Sequence, residues 1–190
     1  KKKDPCGLNA VEGKLQTGSY IGSRTSSHGT HVASTIIGYS YRSNTDASQG
    51  ITLPAIQVRG IAPKATIIPV RVLNDYNISL PGCTDPTVEQ GQVNFGTDDS
   101  VVAGIEYVTK LKKGVLKDSP VVINMSLGTV ARDSYTNDPL CLAVRRAVNA
   151  GIVVVASAGN MGKSLTGEKL YATIGSPGIE PSVITVGAAN

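Results

Sequence analysis

Apolar positions recur along the chain with two periods, and the change from one to the other predicts alternating helices and strands. Val32, Ala33, Ile36 and Ile37 are spaced as one face of a helix, and Ser26-Ser27 before them suits a cap. Residues 28–38 therefore predict a buried helix closed by Gly38, with His28 in its first turn and His31 one turn further in. Ala65 to Leu73 reads as a strand, with Pro69 pointing to an edge or a bulge. Val101, Val102, Ile105, Val108 and Leu111 share one face of a helix that begins at Asp98 and ends at Gly114. Pro120 to Gly128 is an apolar run without alternation, which suits a parallel strand covered on both faces. Asp138-Pro139 opens another helix, a capping acid followed by proline at the first helical position. Leu142, Val144, Ala147 and Val148 continue it to Gly151, and Ile152 to Ala156 and Ser182 to Gly187 are the last two strands.

The stretches between these elements are polar: 1–27, 39–60, 74–97 and the Gly- and Pro-rich 161–181. The order strand, helix, strand, helix, strand implies right-handed crossovers and a doubly wound parallel α/β sheet with helices on both faces. No repeat or boundary interrupts it. Residues 1–190 are thus predicted as a single domain, with a loop-rich segment to residue 27 and core βα units over 28–190. Sites in such sheets sit at the carboxyl ends of the strands, which puts Ser126-Leu127-Gly128 and Gly159-Asn160 along one edge.

Composition narrows the function classes. A chain of 190 residues, 41% hydrophobic and 17% charged, can bury a sizeable core and carries no signature of disorder. Of the net charge of +4, Lys1-Lys2-Lys3 supplies three, and this run reads as a solvated terminus. Aromatics at 4% leave few stacking platforms, so no nucleic-acid partner is expected. No apolar stretch is long enough to span a bilayer, and no signal peptide opens the chain. Cys6, Cys83 and Cys141 have no metal-type spacing, and their odd number leaves one thiol unpaired or joined to something outside the chain.

Several residues offer chemistry. His28 at a helix mouth can act as a general base near neutral pH, although an isolated histidine there more often bonds a carbonyl. His31 could join it on a metal, but no Asp, Glu or Cys stands nearby in sequence to complete a site, so no metal is expected. Asn160 follows Gly159 where a strand leaves the sheet, and its amide can donate to a developing oxyanion or simply form a turn. Gly159 to Ser164 comes nearest to a phosphate loop but lacks its first glycine. Asn77-Ile78-Ser79 and Asn124-Met125-Ser126 match the glycosylation pattern, the second within a strand predicted to be buried.

Five blocks together change these weights. His28-Gly29-Thr30-His31-Val32-Ala33 resembles the histidine motif of subtilisin-like serine peptidases. Gly60 to Ala65, Val122 to Gly128, Val153 to Asn160 and Pro181 to Ala188 resemble further blocks of that family, in its order. The resemblance implies peptide hydrolysis by a Ser-His-Asp triad, with protein or peptide as substrate. It makes His28 the general base and His31 a packing residue. Asn160 becomes the oxyanion donor, a role for which the handling of one family member sets the scale, a loss of about 10²–10³ in turnover on removal. Ser126, Leu127 and Gly128 would pair with the substrate backbone as an added strand, while Ala158 and Gly159 would wall the pocket beside the scissile bond. Asn94-Phe95-Gly96 would be the opposite binding strand.

The departures are as informative. The family's aspartate stands in an Asp-[Ser/Thr]-Gly strand before the histidine, and nothing in residues 1–27 reads so. Its nucleophile stands in a Gly-Thr-Ser block, and no serine here has that context. The expectation is therefore a fragment of an incomplete domain, inactive alone, whose missing N- and C-terminal parts are its partners. The rival is a pseudo-peptidase that binds extended peptide without cutting it. No cofactor is required for the chemistry. The resemblance allows structural calcium, yet Asp46, Asp75, Asp85, Asp98 and Asp99 form no ligand pattern. It also implies a secreted or extracytoplasmic protein.

Overall fold

The computed structural model describes residues 27–41, 56–78, 91–164 and 166–188. They fall into two compact units, within Lys1–Phe95 and within Gly96–Asn190.

In the first unit, helix α1 spans His28–Ile37 and Gly38 closes it, as its periodicity predicts. Two expectations fail there. Ser27 is the N-cap residue but its side chain makes no capping hydrogen bond, and α1 carries no buried residue. The residues after α1 pair locally: β1 (Gly38–Tyr41) runs antiparallel to β2 (Ile56–Arg59). Ile61 and Ala62 then donate backbone hydrogen bonds to Thr35 and Ile36, tying the following turn to the end of α1. The strand expected over 65–73 is absent. Pro69 removes a donor from that stretch, and Arg71 Nε donates to the Leu73 carbonyl at 3.0 Å. The segment expected to be a loop from 74 to 97 holds a second antiparallel pair, β3 (Asn74–Ile78) with β4 (Gly91–Phe95). Polar composition hid both pairs because strand pairing depends on a partner distant in sequence.

The second unit follows its sequence closely. Helix α2 (Asp98–Lys113) begins at Thr97, whose side chain accepts from the Ser100 amide. Asp98 and Asp99 in its first turn and Lys110, Lys112 and Lys113 in its last complement the helix dipole. Lys112 Nζ then donates to the carbonyls of Lys117 and Ser119, closing the turn toward β5 (Val122–Met125). Helix α3 (Pro139–Asn149) has proline in its first turn, and Asp138 accepts from the Cys141 amide at 2.9 Å. After Gly151 come β6 (Val153–Ser157) and β7 (Ile184–Val186).

The three strands form a parallel sheet in the order β5-β6-β7. Helix α3 packs on β6, and α2 packs on α3. The core between them comprises Val101, Ile105, Leu140, Cys141, Val144, Ala147, Val154 and Ala156, each under a tenth exposed. Alternation along β6 buries Val154 and Ala156 while Val153 faces out. The outward face of this sheet is also apolar: Val122, Val153, Ile184 and Val186 are all about half exposed or more. Within this unit, then, helices cover one face among the described residues. The uninterrupted apolar run of β5 is explained by a second face that is apolar without being covered here.

Candidate active site

The site residues are set at two strand ends. Strands β5 and β6 pair in register up to Met125 and Ala156, so the segments that begin at Ser126 and Ala158 continue from neighbouring strand ends. Beyond them a depression of about 200 Å³ is lined by Asn124, Met125, Ser126, Val155, Ala156, Ser157 and Val186. It opens at the carboxyl edge of the parallel strands, where the topology predicts a site.

The first edge is Ser126-Leu127-Gly128. It lies past the end of β5, so the strand is shorter than its apolar run suggests. Ser157 Oγ donates to the Leu127 carbonyl at 3.3 Å, joining the two edges. Asn124 is exposed rather than buried, and its Nδ2 donates to Ser126 Oγ at 3.0 Å.

The second edge is Ala158-Gly159-Asn160. The Ala158 amide donates to Val186 at 2.8 Å, extending the pairing of β6 with β7 by one residue. Gly159 has φ of +92°, a conformation that side chains disfavour, and there the chain bends out of the sheet. Asn160 follows the bend and is exposed, and no hydrogen bond holds its side chain among the described residues.

A third segment, missed in the sequence, joins these edges. Thr129 and Ser176 exchange backbone hydrogen bonds of 3.0 and 2.9 Å, and the Gly175 amide donates to Ala158 at 3.1 Å. Gly175 to Gly178, with a cis peptide bond between Ser176 and Pro177, thus runs behind both. Its side chains reach α3. Ser176 Oγ donates to Asp138 Oδ1 at 2.8 Å and lies 3.7 Å from Cys141 Sγ. Burial pushes the Cys141 thiol up to about 11. Glu180 accepts from Arg145 through both carboxylate oxygens, at 3.2 and 2.6 Å, and from the Ser182 hydroxyl at 2.8 Å. Burial alone would raise the Glu180 carboxyl, but the bonds from Arg145 and Ser182 outweigh it and hold it below its ordinary value. A Gly-Ser-Pro-Gly run before a strand was the one local sign of a tight segment there.

His28 is the first residue of α1, in the first unit, and is exposed. His31 is exposed as well, so it does not pack as expected; its backbone carbonyl accepts from the Ser34 and Thr35 hydroxyls. Asn94 and Phe95 pair with Asp75 and Asn74 in the β3–β4 ladder. Asp98 and Asp99 serve the α2 N-terminus, Asp75 lies in β3, and Asp46 and Asp85 fall outside the described residues, as do Cys6 and Cys83. No group of three or more potential metal ligands occurs among the described residues.

Comparison with known proteins agrees with this architecture. The serine protease AprX of Bacillus subtilis (strain 168) is 35% identical over 164 residues, covering 85% of this chain and 29% of that protein. The extracellular serine proteinase of Thermus sp. (strain Rt41A) is 35% identical over 161 residues, covering 85% of this chain and 27% of its own length. The chain thus spans less than a third of either relative. Among solved structures, the prenylagaramide maturation protease PagA superposes with a TM-score of 0.50 at 21% identity, over 86% of this chain and 43% of that one, a likeness of fold. The profile of the subtilase family matches residues 9–190, and the chain belongs to that family.

Proposed function

We propose that this chain carries the central part of a serine endopeptidase site that binds its substrate as an extended strand. The observation that supports this most is the pair of neighbouring strand ends, Ser126-Leu127-Gly128 and Ala158-Gly159, beside one depression in a subtilase chain. A peptide backbone laid along the first edge would add a strand beside the end of β5. Ala158 and Gly159 wall the pocket for the residue before the scissile bond. Asn160, held clear of the sheet by the Gly159 bend, donates its amide to the oxyanion. His28 takes the nucleophile's proton and returns it to the leaving amine. The aspartate and serine that complete this chemistry come from outside these 190 residues, which alone do not turn over peptide. No cofactor takes part. A secreted or extracytoplasmic setting is in keeping with the name of the Thermus relative.

The test is chemical. The full gene product should react with a serine-directed fluorophosphonate and cleave a fluorogenic peptide, and His28→Ala should abolish both. Asn160→Ala should lower kcat by about 10²–10³ and slow labelling as well, because the phosphoryl oxygen develops charge at the same position. A full product that binds the peptide without labelling or cleavage would select the pseudo-peptidase instead. Turnover by the purified 190-residue chain, lost with His28→Ala, would overturn the claim that it needs groups from elsewhere.

A further inference from the structure

We infer that Ser176, gripped by Asp138, is a positioning residue that fixes the spacing of the two peptide-binding edges. The inference rests on the site reading above and names what holds that site together.

The β5–β6 ladder relates the two strands up to Met125 and Ala156. Past its end, Ser157 Oγ reaches the Leu127 carbonyl at 3.3 Å, and the Gly175-Ser176 segment bridges the continuations of both edges. Ser176 pairs with Thr129 through both its backbone groups, and Gly175 donates to Ala158. Two consecutive residues therefore touch the continuation of the first edge and the body of the second. The approach is so close that a Cβ at Gly175 would stand 2.5 Å from the Thr129 carbonyl oxygen, and one at Gly128 would stand 2.8 Å from that of Ser176. No side chain fills this seam, so its width is set by where the segment is held from behind.

The hold is the Ser176 hydroxyl. At 1% exposure it has no water to bond, and it donates to Asp138 Oδ1, itself 7% exposed. That oxygen also accepts from the Cys141 amide and so caps α3. One carboxylate oxygen therefore anchors both the start of a core helix and the strap behind the edges. A charge-assisted bond between buried partners resists displacement far better than a surface contact. Further along, the Arg145–Glu180 pair ties the far side of the strap to the same helix. Helix α3, packed on β6, becomes the fixed reference from which both edges are set. Such an arrangement favours substrate binding over chemistry, because it places backbone partners of the peptide rather than the reacting groups.

Ser176→Ala removes this hold and leaves the backbone bridge tied to α3 through the more distant Arg145–Glu180 pair. Hydrogen exchange in the full gene product should then rise at least tenfold at the amides of residues 129, 175 and 176. In the full gene product KM for the fluorogenic peptide should rise roughly tenfold, with kcat within about twofold, as losing one charge-assisted bond implies. Asp138→Asn keeps an acceptor oxygen and should hold exchange and KM near their wild-type values, whereas Asp138→Ala should raise both. Val101→Ala, a core truncation in α2, controls for general loss of stability and should leave KM unchanged. Unchanged exchange in Ser176→Ala overturns the inference, as does an equal rise in KM with Val101→Ala. Faster exchange with an unchanged KM also overturns it. A wild-type product that never cleaves peptide defeats the functional reading alone, since the exchange measurement still decides whether Ser176 sets the edges.

Discussion

Arg145 and Glu180 meet across 35 residues of sequence in a two-point ion pair, with Nη2 to Oε2 at 2.6 Å and Nε to Oε1 at 3.2 Å. Glu180 is almost wholly buried, while Arg145 keeps one side toward solvent and also donates to the Tyr135 carbonyl. The planar guanidinium matches the carboxylate in a way a lysine could not. The pair fastens the strap behind the candidate site to the helix that supports it.

Stability should therefore depend on pH through Glu180. Its carboxyl is held below the ordinary value of 4.5, so the charged form is favoured on folding. The resulting stability is present above that value and is lost as pH falls through the lower value of the folded state. Glu180→Gln should cost about 1–2 kcal/mol near neutral pH. Urea unfolding at pH 7 and pH 3 checks this: the gap between wild type and variant should shrink at pH 3. An equal gap at both would show that the charge does not matter.

The seam between the edges should tolerate no added carbon. Gly175→Ala puts a Cβ 2.5 Å from a backbone oxygen, and either the bridge to Thr129 opens or the sheet edge shifts. A cost of about 1–3 kcal/mol is expected, as for other forced overpacking. Gly162→Ala, where no atom lies within 4 Å of the new carbon, should be nearly neutral. Thermal melts of the two variants give the comparison.

Cys141 should be chemically silent in the folded protein. It is fully buried, and its thiol is pushed to about 11, so the reactive thiolate is scarce at pH 8. Iodoacetamide followed by peptide mass mapping should leave Cys141 unmodified in buffer and modify it fully in urea. Rapid native alkylation would mean that α3 opens readily from the sheet.

Leu140 is 2% exposed at the start of α3, beside the Asp138 cap. Leu140→Ala should lower stability by roughly 2–5 kcal/mol, the range for large-to-small core changes. Chemical denaturation measures it, and a loss under 1 kcal/mol would mean that the core refills the space.

The sequence by itself determined the elements that carry their own local instructions. Helices α2 and α3 were legible because apolar period, capping residue and stop all lie within a few turns: Thr97 to Gly114, and Asp138-Pro139 to Gly151. The β5 and β6 strands were legible from unbroken apolar runs, and their parallel order from the helices between them. That was enough to bring Ser126 and Ala158 to one edge. Tertiary structure alone decided the rest. The β1–β2 and β3–β4 pairs join segments whose polar composition bears no strand signal, because a ladder satisfies the backbone whatever the side chains. The run over 65–73 had the right composition, yet it forms no strand among the described residues. Ser176 meets Asp138 across 38 residues, and nothing near either residue announces the other. A capping carboxylate, a serine and a glycine look like turn chemistry in sequence; only burial against one helix turns them into the frame of a site.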